Sequence, residues 1–425
     1  MKTILCSLVN RWGQREPAIV VSVASIIAAA LVLIVSVATI QDNYTIFGPG
    51  LGADFPQFYG AGKIILEGRA DRLYDLQLQQ QYYHQILPNE GKESYLPYVY
   101  PPFFAILFIP LSLVPSQYYF CSFLAWGFIL LAFYVSGVRL LFRTLATFDA
   151  TSRSLAMLLA LAFPPFLMES LLTGQTSPFG FFAFSLTLFL QHRGLPMLSG
   201  LALSLCSYKP PLLILILPML VVGRQWRILC GFVVGCAMLV LVSIAIVGLD
   251  SFLAYVKFLL SYTTLTKEGF RTYKYVDIAS FTRLLLNTTS RIPSYLGYAG
   301  ILAGLGLLSR QWFHVTSYGH RHAQMLWSNT LAWTLVLNIY VGIYEVTMLV
   351  IPLMYIVDEG RQSTAADHQT VDQQSLSDSI RAQLMVVLIS CWLTQFVALV
   401  IGVQVLTLVI LWVAASQRSS IIRST

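Results

Sequence analysis

The sequence predicts an all-α protein that crosses a membrane many times, and three observations carry that prediction. Hydrophobic residues make up 57% of the 425 positions and charged residues only 11%, with a mean hydropathy of +0.71; an ordinary soluble domain carries about 25% charged residues. The apolar residues form unbroken runs, not the alternation of a membrane β-barrel. Lys and Arg fall between those runs, where they set the orientation of each span. The net charge of +7 is therefore no sign of a nucleic-acid partner, since no basic cluster is interleaved with exposed aromatics.

The first run, Pro17 to Ile40, follows Lys2, Arg11 and Arg15. As a helix it would extend about 36 Å, enough for a hydrocarbon core of about 30 Å. It reads as a retained span with its N-terminus in the cytoplasm, because a cleaved signal peptide has a shorter apolar core and a small-residue cleavage site. Residues 41–102 then form a first extracytoplasmic loop. Within it Phe55, Phe58, Tyr59, Gly62, Ile65 and Leu66 recur with helical spacing behind Asp54, which suits an amphipathic helix on the membrane surface. Gly68 closes that helix. Asp71 can cap a second one, with Leu73, Leu76, Tyr83 and Leu87 on one face, and Tyr98 to Pro102 returns extended. Together these pieces would roof a membrane cavity.

Phe103–Val114 is bracketed by Pro102, Pro110 and Pro115 and reads as a re-entrant or buried half-helix. From Tyr118 onward the runs alternate across the membrane with no conflict in any short loop. A second long extracytoplasmic loop covers 248–293, and a polar cytoplasmic loop without a motif covers 358–381. The last run, Ala382 to Ala415, reads as two spans. The expectation is about 11–12 transmembrane helices in a single membrane domain, 1–425. The six cysteines include no Cys-x-x-Cys pair and read as buried, inert thiols.

This topology brings Asp54, Gln175, Lys209 and the Tyr340–Glu345 segment to the extracytoplasmic ends of their helices, from four distant parts of the chain. Lys209 is the only Lys or Arg in any short outer loop. Asp54 is either a general base or a helix cap, a position Asp favours. Lys209 is either a snorkelling lysine or a cation for a phosphodiester. Gln175 reads as a loop residue on spacing alone. Glu169 and Glu345 are carboxylates in or near the membrane, functional candidates because burying them is costly. Tyr59, Tyr100 and Tyr344 complete a candidate substrate-binding set with Glu169, Gln175, Lys209 and Glu345. The stretch Thr266–Arg283 mixes Lys267, Arg271, Lys274 and Arg283 with aromatics, and reads as a surface helix touching lipid headgroups. No metal site is expected from His314, His320 and His322, and no Gly-rich phosphate loop or Gly-x-Ser-x-Gly elbow is present.

The series Ala53-Asp54-Phe55-Pro56-Gln57-Phe58-Tyr59, Gly68, Leu73-Tyr74-Asp75 and Tyr100-Pro101-Pro102-Phe103 resembles the first outer loop of glycosyltransferase family 87. Leu172-Thr173-Gly174-Gln175 and Gly200-Leu201-Ala202, leading into Lys209-Pro210-Pro211, continue the pattern. The resemblance implies a C-type glycosyltransferase fold in the plasma (inner) membrane. It implies transfer of a sugar, most often mannose, from a polyprenyl-phosphate donor to a lipid-linked or glycan acceptor on the extracytoplasmic face, with inversion and without a cofactor. It makes Asp54 the catalytic base. Some members carry a histidine near a late Tyr-Asp pair; here Asn338-Ile339-Tyr340-Val341-Gly342-Ile343-Tyr344-Glu345 holds none. A non-catalytic lipid-glycan transporter or a glycan polymerase is the rival class. A transporter would place charges mid-span on several helices, whereas this chain keeps its polar residues at one end.

Overall fold

The computed structural model describes residues 17–46, 52–89, 95–265, 272–313, 320–366 and 370–423. The chain is an all-α polytopic membrane protein. Its helices are α1 (Pro17–Ala38), α2 (Phe55–Leu66), α3 (Leu76–Ile86), α4 (Tyr119–Phe142), α5 (Ala150–Leu161), α6 (Ser177–His192), α7 (Pro196–Ser204), α8 (Ile216–Val222), α9 (Trp226–Leu265), α10 (Ile278–Leu285), α11 (Ile292–Trp312), α12 (His320–Val336), α13 (Val350–Ala366), α14 (Thr370–Ile401) and α15 (Val405–Arg423). Short helical and 3₁₀ turns join several of them.

Among the described residues, five helices are long and apolar enough to cross a membrane, six if α5 and the Pro164–Leu171 piece are one span bent by 49°. That is fewer than the expected eleven or twelve. The difference lies chiefly in length, since α6, α7, α8, α12 and α13 have 16, 9, 7, 17 and 17 residues, short of the roughly 20 a span needs. Proline shortens the chain's helices further. Pro101, Pro102, Pro110 and Pro115 remove N–H donors and break 102–118 into turns of three or four residues. Pro210 and Pro211 do the same between α7 and α8.

Other expectations change as well. The segment 248–293 is largely helical where described: α9 runs on to Leu265 after Gly248, whose φ of 78° breaks the helix, and α10 follows. The stretch 358–381 is not a loop over its described residues, because α13 and α14 continue through it. Asp71 sits in a 3₁₀ turn; Asp75 caps α3, accepting from Gln77 N and Leu78 N at 3.0 and 3.1 Å. Leu76 is exposed, so the buried face of α3 is Leu78, Gln79, Tyr82, Tyr83 and Ile86. Of the described cysteines, Cys206 and Cys391 are buried, but Cys121 and Cys230 are exposed.

Helix α2 does not lie free on a surface. Phe55, Phe58 and Tyr59 are buried in an aromatic cluster with Phe108, Tyr119, Phe123 and Trp126. Phe58 stacks on Phe108 at 4.8 Å between centroids, and Phe55 stacks on Trp126 at 6.3 Å. Burying each such side chain stabilises by about 1.5–3 kcal/mol, with about 0.5–1.5 kcal/mol more for aromatic pairing. This packing fixes the start of α2, where Asp54 stands.

Candidate active site

Asp54 is held by a second loop. Gly52 N donates to Leu172 O at 2.7 Å and Asp54 N to Thr173 O at 3.1 Å, so two turns distant in sequence are laced through their backbones. The lacing depends on Gly174, with φ of +82°, where a Cβ would come within 2.8 Å of Phe55 Cβ. Trp126 Nε1 donates to Gly174 O at 2.9 Å and Tyr119 OH to Gly52 O at 3.0 Å. The aromatic cluster thus anchors both turns.

Asp54 occupies the N-cap position of α2, yet its side chain accepts no capping hydrogen bond. Gln175 and Thr173 stand beside its carboxyl instead, the Thr173 hydroxyl donating to Glu169 O. Burial of that carboxyl raises its pKa above the ordinary value of 3.8; Lys274, Gln175, Thr173 and Lys209 pull the other way. The cap alternative therefore loses its physical basis.

A second cluster stands beside the first. Pro210 biases Lys209 away from helical backbone, and its φ and ψ of −141° and 80° interrupt the helical turns on either side. Its Nζ meets Glu345 Oε1 at 2.5 Å, and the two side chains are only 9% and 1% exposed. The Tyr344 ring lies 4.3 Å from the ammonium and the Tyr100 ring 6.0 Å. Glu345 Oε2 is buried with no hydrogen-bond partner. Gln175 joins the clusters, since Tyr100 OH donates to its Oε1 at 3.4 Å.

The third contributor comes from residues 272–277. Tyr275 bridges to Gly342, and Val276 N donates to Val341 O at 2.8 Å. Asp277 clamps this junction, accepting from Val341 N at 3.1 Å and capping α10 through Ser280 N at 2.9 Å. Burial pushes its carboxyl up to about 6. The result is that Lys274 faces both Asp54 and Glu169 electrostatically. Glu169 sits in a π-helical turn, Leu167–Leu171, and accepts from Gln395 Nε2.

Of the residues singled out in the sequence, Asp54, Gln175 and Glu169 meet around Thr173 and Lys274, while Lys209, Glu345, Tyr344 and Tyr100 form the adjoining cluster. Tyr59 is not brought in. It packs on Phe55 and Tyr119, and its hydroxyl donates to Val114 O. Sequence reading passed over Thr173, Gln395 and Lys274; the signal for Lys274 was its place between Tyr273 and Tyr275, taken as a headgroup contact. Lys267 and Arg271 of that stretch lie outside the described residues. Among the described residues no three His, Cys, Asp or Glu side chains gather as a metal site would require. A cavity among the described residues, between α5, α13 and α14, does not adjoin Asp54 and lies toward the other end of the helices that carry the site.

The family model described as Glycosyltransferase family 87 matches residues 98–352, more than half of the chain. The match covers Tyr100, Glu169, Gln175, Lys209, Lys274 and Glu345. Asp54 lies upstream of it, tied to it through Leu172 and Thr173. No curated protein and no solved structure matches the chain.

Proposed function

The chain belongs to glycosyltransferase family 87, and from that premise we propose that this membrane glycosyltransferase moves a sugar, mannose in the first instance, from a polyprenyl phosphate to a lipid-linked or glycan hydroxyl. Asp54 is the general base. The acceptor oxygen attacks the anomeric carbon from the face opposite the phosphate, and a new glycosidic C–O bond forms. The bond to the phosphate oxygen breaks, and polyprenyl phosphate leaves with the electron pair. Asp54 takes the hydroxyl proton, and the single displacement from the opposite face inverts the configuration. General base catalysis of this kind contributes about 10²–10⁴ in rate.

The observation that supports this reading best is the state of the Asp54 carboxyl. It is partly buried, makes no cap, stands beside Thr173 and Gln175, and faces a lysine. A carboxylate so placed is a base held in position and not a structural tie. Lys274 is the cation for the leaving phosphate, because the charge of Lys209 is already matched by Glu345. An ammonium near the developing negative charge stabilises the transition state. Lys209 fixes Glu345, Tyr344 and Tyr100 as one wall of the sugar site. The site faces the extracytoplasmic side of the plasma membrane, following the Lys/Arg pattern.

The test is a transfer assay with the full chain in nanodiscs, using labelled polyprenyl-phosphate sugars beside the matching nucleotide sugars. The proposal expects transfer from polyprenyl-phosphate mannose with release of polyprenyl phosphate and an inverted linkage. Transfer from nucleotide sugars alone, or a retained configuration, would overturn it.

A further inference from the structure

The cavity between α5, α13 and α14 has a volume of about 470 Å³, within the range of about 300–1,000 Å³ typical of ligand sites. Its lining is apolar along most of its length, with Leu159, Phe163, Leu353, Leu384 and Leu388 among the wall residues. Among the described residues its lining includes two cations, Arg361 and Arg381, and no carboxylate. Arg361 Nη1 donates to Ser152 Oγ at 2.5 Å, and the guanidinium lies 5.1 Å from the centre of the Phe148 ring. The fork is therefore held in place while most of its donors remain available. Asp149 is close enough to feel Arg361, but no carboxylate makes a salt bridge with Arg361 among the described residues. Asp358, one helical turn earlier, is taken up by Ala146 N at 3.1 Å, Thr147 N at 2.8 Å and Thr147 Oγ1 at 2.7 Å.

We propose that this cavity binds an anionic phospholipid, its phosphate on Arg361 and Arg381 and an acyl chain along the apolar wall toward Phe163. Charge decides between this occupant and the tail of the sugar donor. A donor with its phosphate at Lys274 would bring only the hydrocarbon end of its chain to the two arginines, which lie at the other end of the same helices. A phospholipid of the opposite leaflet brings an anion there. Arginine matches a phosphate through two parallel hydrogen bonds, and basic pockets between membrane helices are known hosts for anionic headgroups.

Native mass spectrometry of the full chain, released from nanodiscs of equal phosphatidylglycerol and phosphatidylcholine, tests the assignment. The wild-type chain should retain phosphatidylglycerol over phosphatidylcholine by at least about tenfold, the worth of a charge-assisted hydrogen bond. The double variant Arg361→Gln, Arg381→Gln should bring the two close to parity. Arg381→Gln alone leaves the Arg361–Ser152 contact intact and should lower the preference in a chain that still folds. Equal retention by the wild type, or an unchanged preference in the double variant, would overturn the proposal. So would displacement of the bound phosphatidylglycerol by sugar-free polyprenyl phosphate, which would give the cavity to the donor tail. None of these outcomes depends on whether the chain transfers a sugar.

Discussion

Asp54 and Asp75 stand at the starts of consecutive helices, α2 and α3, and their carboxylates do opposite things. Asp75 accepts from two backbone N–H groups of its own helix and pairs at 2.5 Å with Arg72, whose side chain is exposed. Arg72 and the N–H groups hold its pKa below the ordinary value. The Asp54 carboxylate accepts no capping bond from its helix, and burial raises its pKa. The same residue in the same helical position is a cap in one place and, in the proposed mechanism, the base in the other. What separates them is the neighbouring loop. Leu172–Gln175 packs over Asp54 and accepts its backbone N–H through Thr173 O, while Asp75 has only its own turn and Arg72.

The difference has a sign in pH. A lowered pKa means that Asp75 contributes stability above pH 3.8 that is lost as pH falls through its folded value. A raised pKa means the reverse for Asp54. Its contribution is fully present below pH 3.8 and lost as pH rises through the folded value. Ionised Asp54 is thus kept at a cost in stability, as fits a group held for chemistry. Turnover should fall on acidification through a pKa above 3.8, and a pH–rate profile flat down to that value would break the contrast.

Substitutions sharpen it, beginning with the two ion pairs. Lys209→Met leaves Glu345 buried without its partner and should destabilise by about 3–5 kcal/mol, read as a fall in Tm. Adding Glu345→Gln should restore much of that loss. Arg72→Met removes the exposed pair and should cost no more than about 1 kcal/mol. Equal losses at the two sites would show that burial does not distinguish them. Gly174→Ala forces a left-handed residue against Phe55, at about 1–2 kcal/mol for the backbone alone, and should also lower turnover by shifting the loop over Asp54. Lys274→Met should raise donor KM about tenfold, one lost charge-assisted contact, without changing Tm; an unmoved donor KM would return the phosphate role to Lys209. The smallest effect is at Asp75. Asp75→Ala should cost about 1 kcal/mol, and Asp75→Asn almost nothing, since Asn caps as well as Asp.

Much of this arrangement was legible in the sequence. Alternating spans placed Asp54, Gln175, Lys209 and Tyr340–Glu345 at one end because apolar runs and Lys/Arg position are local properties. The ion pair was not legible. Lys209 and Glu345 are 136 residues apart, and nothing in either neighbourhood names the other. Lys274 was misjudged because a Lys among tyrosines has the composition of a headgroup contact; only the pairing of Tyr275 and Val276 with Val341 and Gly342 turns it inward. The helical stretch after Gly248 was missed for a related reason. Gly248-Leu249-Asp250 carries the signature of a loop, while the helix on its far side is held by tertiary contacts such as Tyr255 against Tyr74 at 5.1 Å.

The central claim is that Asp54 removes the acceptor proton, and turnover of Asp54→Asn at saturating polyprenyl-phosphate donor tests it most directly. Asn keeps the shape and can still meet Gln175 and Thr173, but it cannot take a proton. The account predicts a loss of at least about 10² in turnover, with donor binding and Tm near those of the wild type. Wild-type turnover in Asp54→Asn, measured beside an equally active Asp75→Asn, would contradict it.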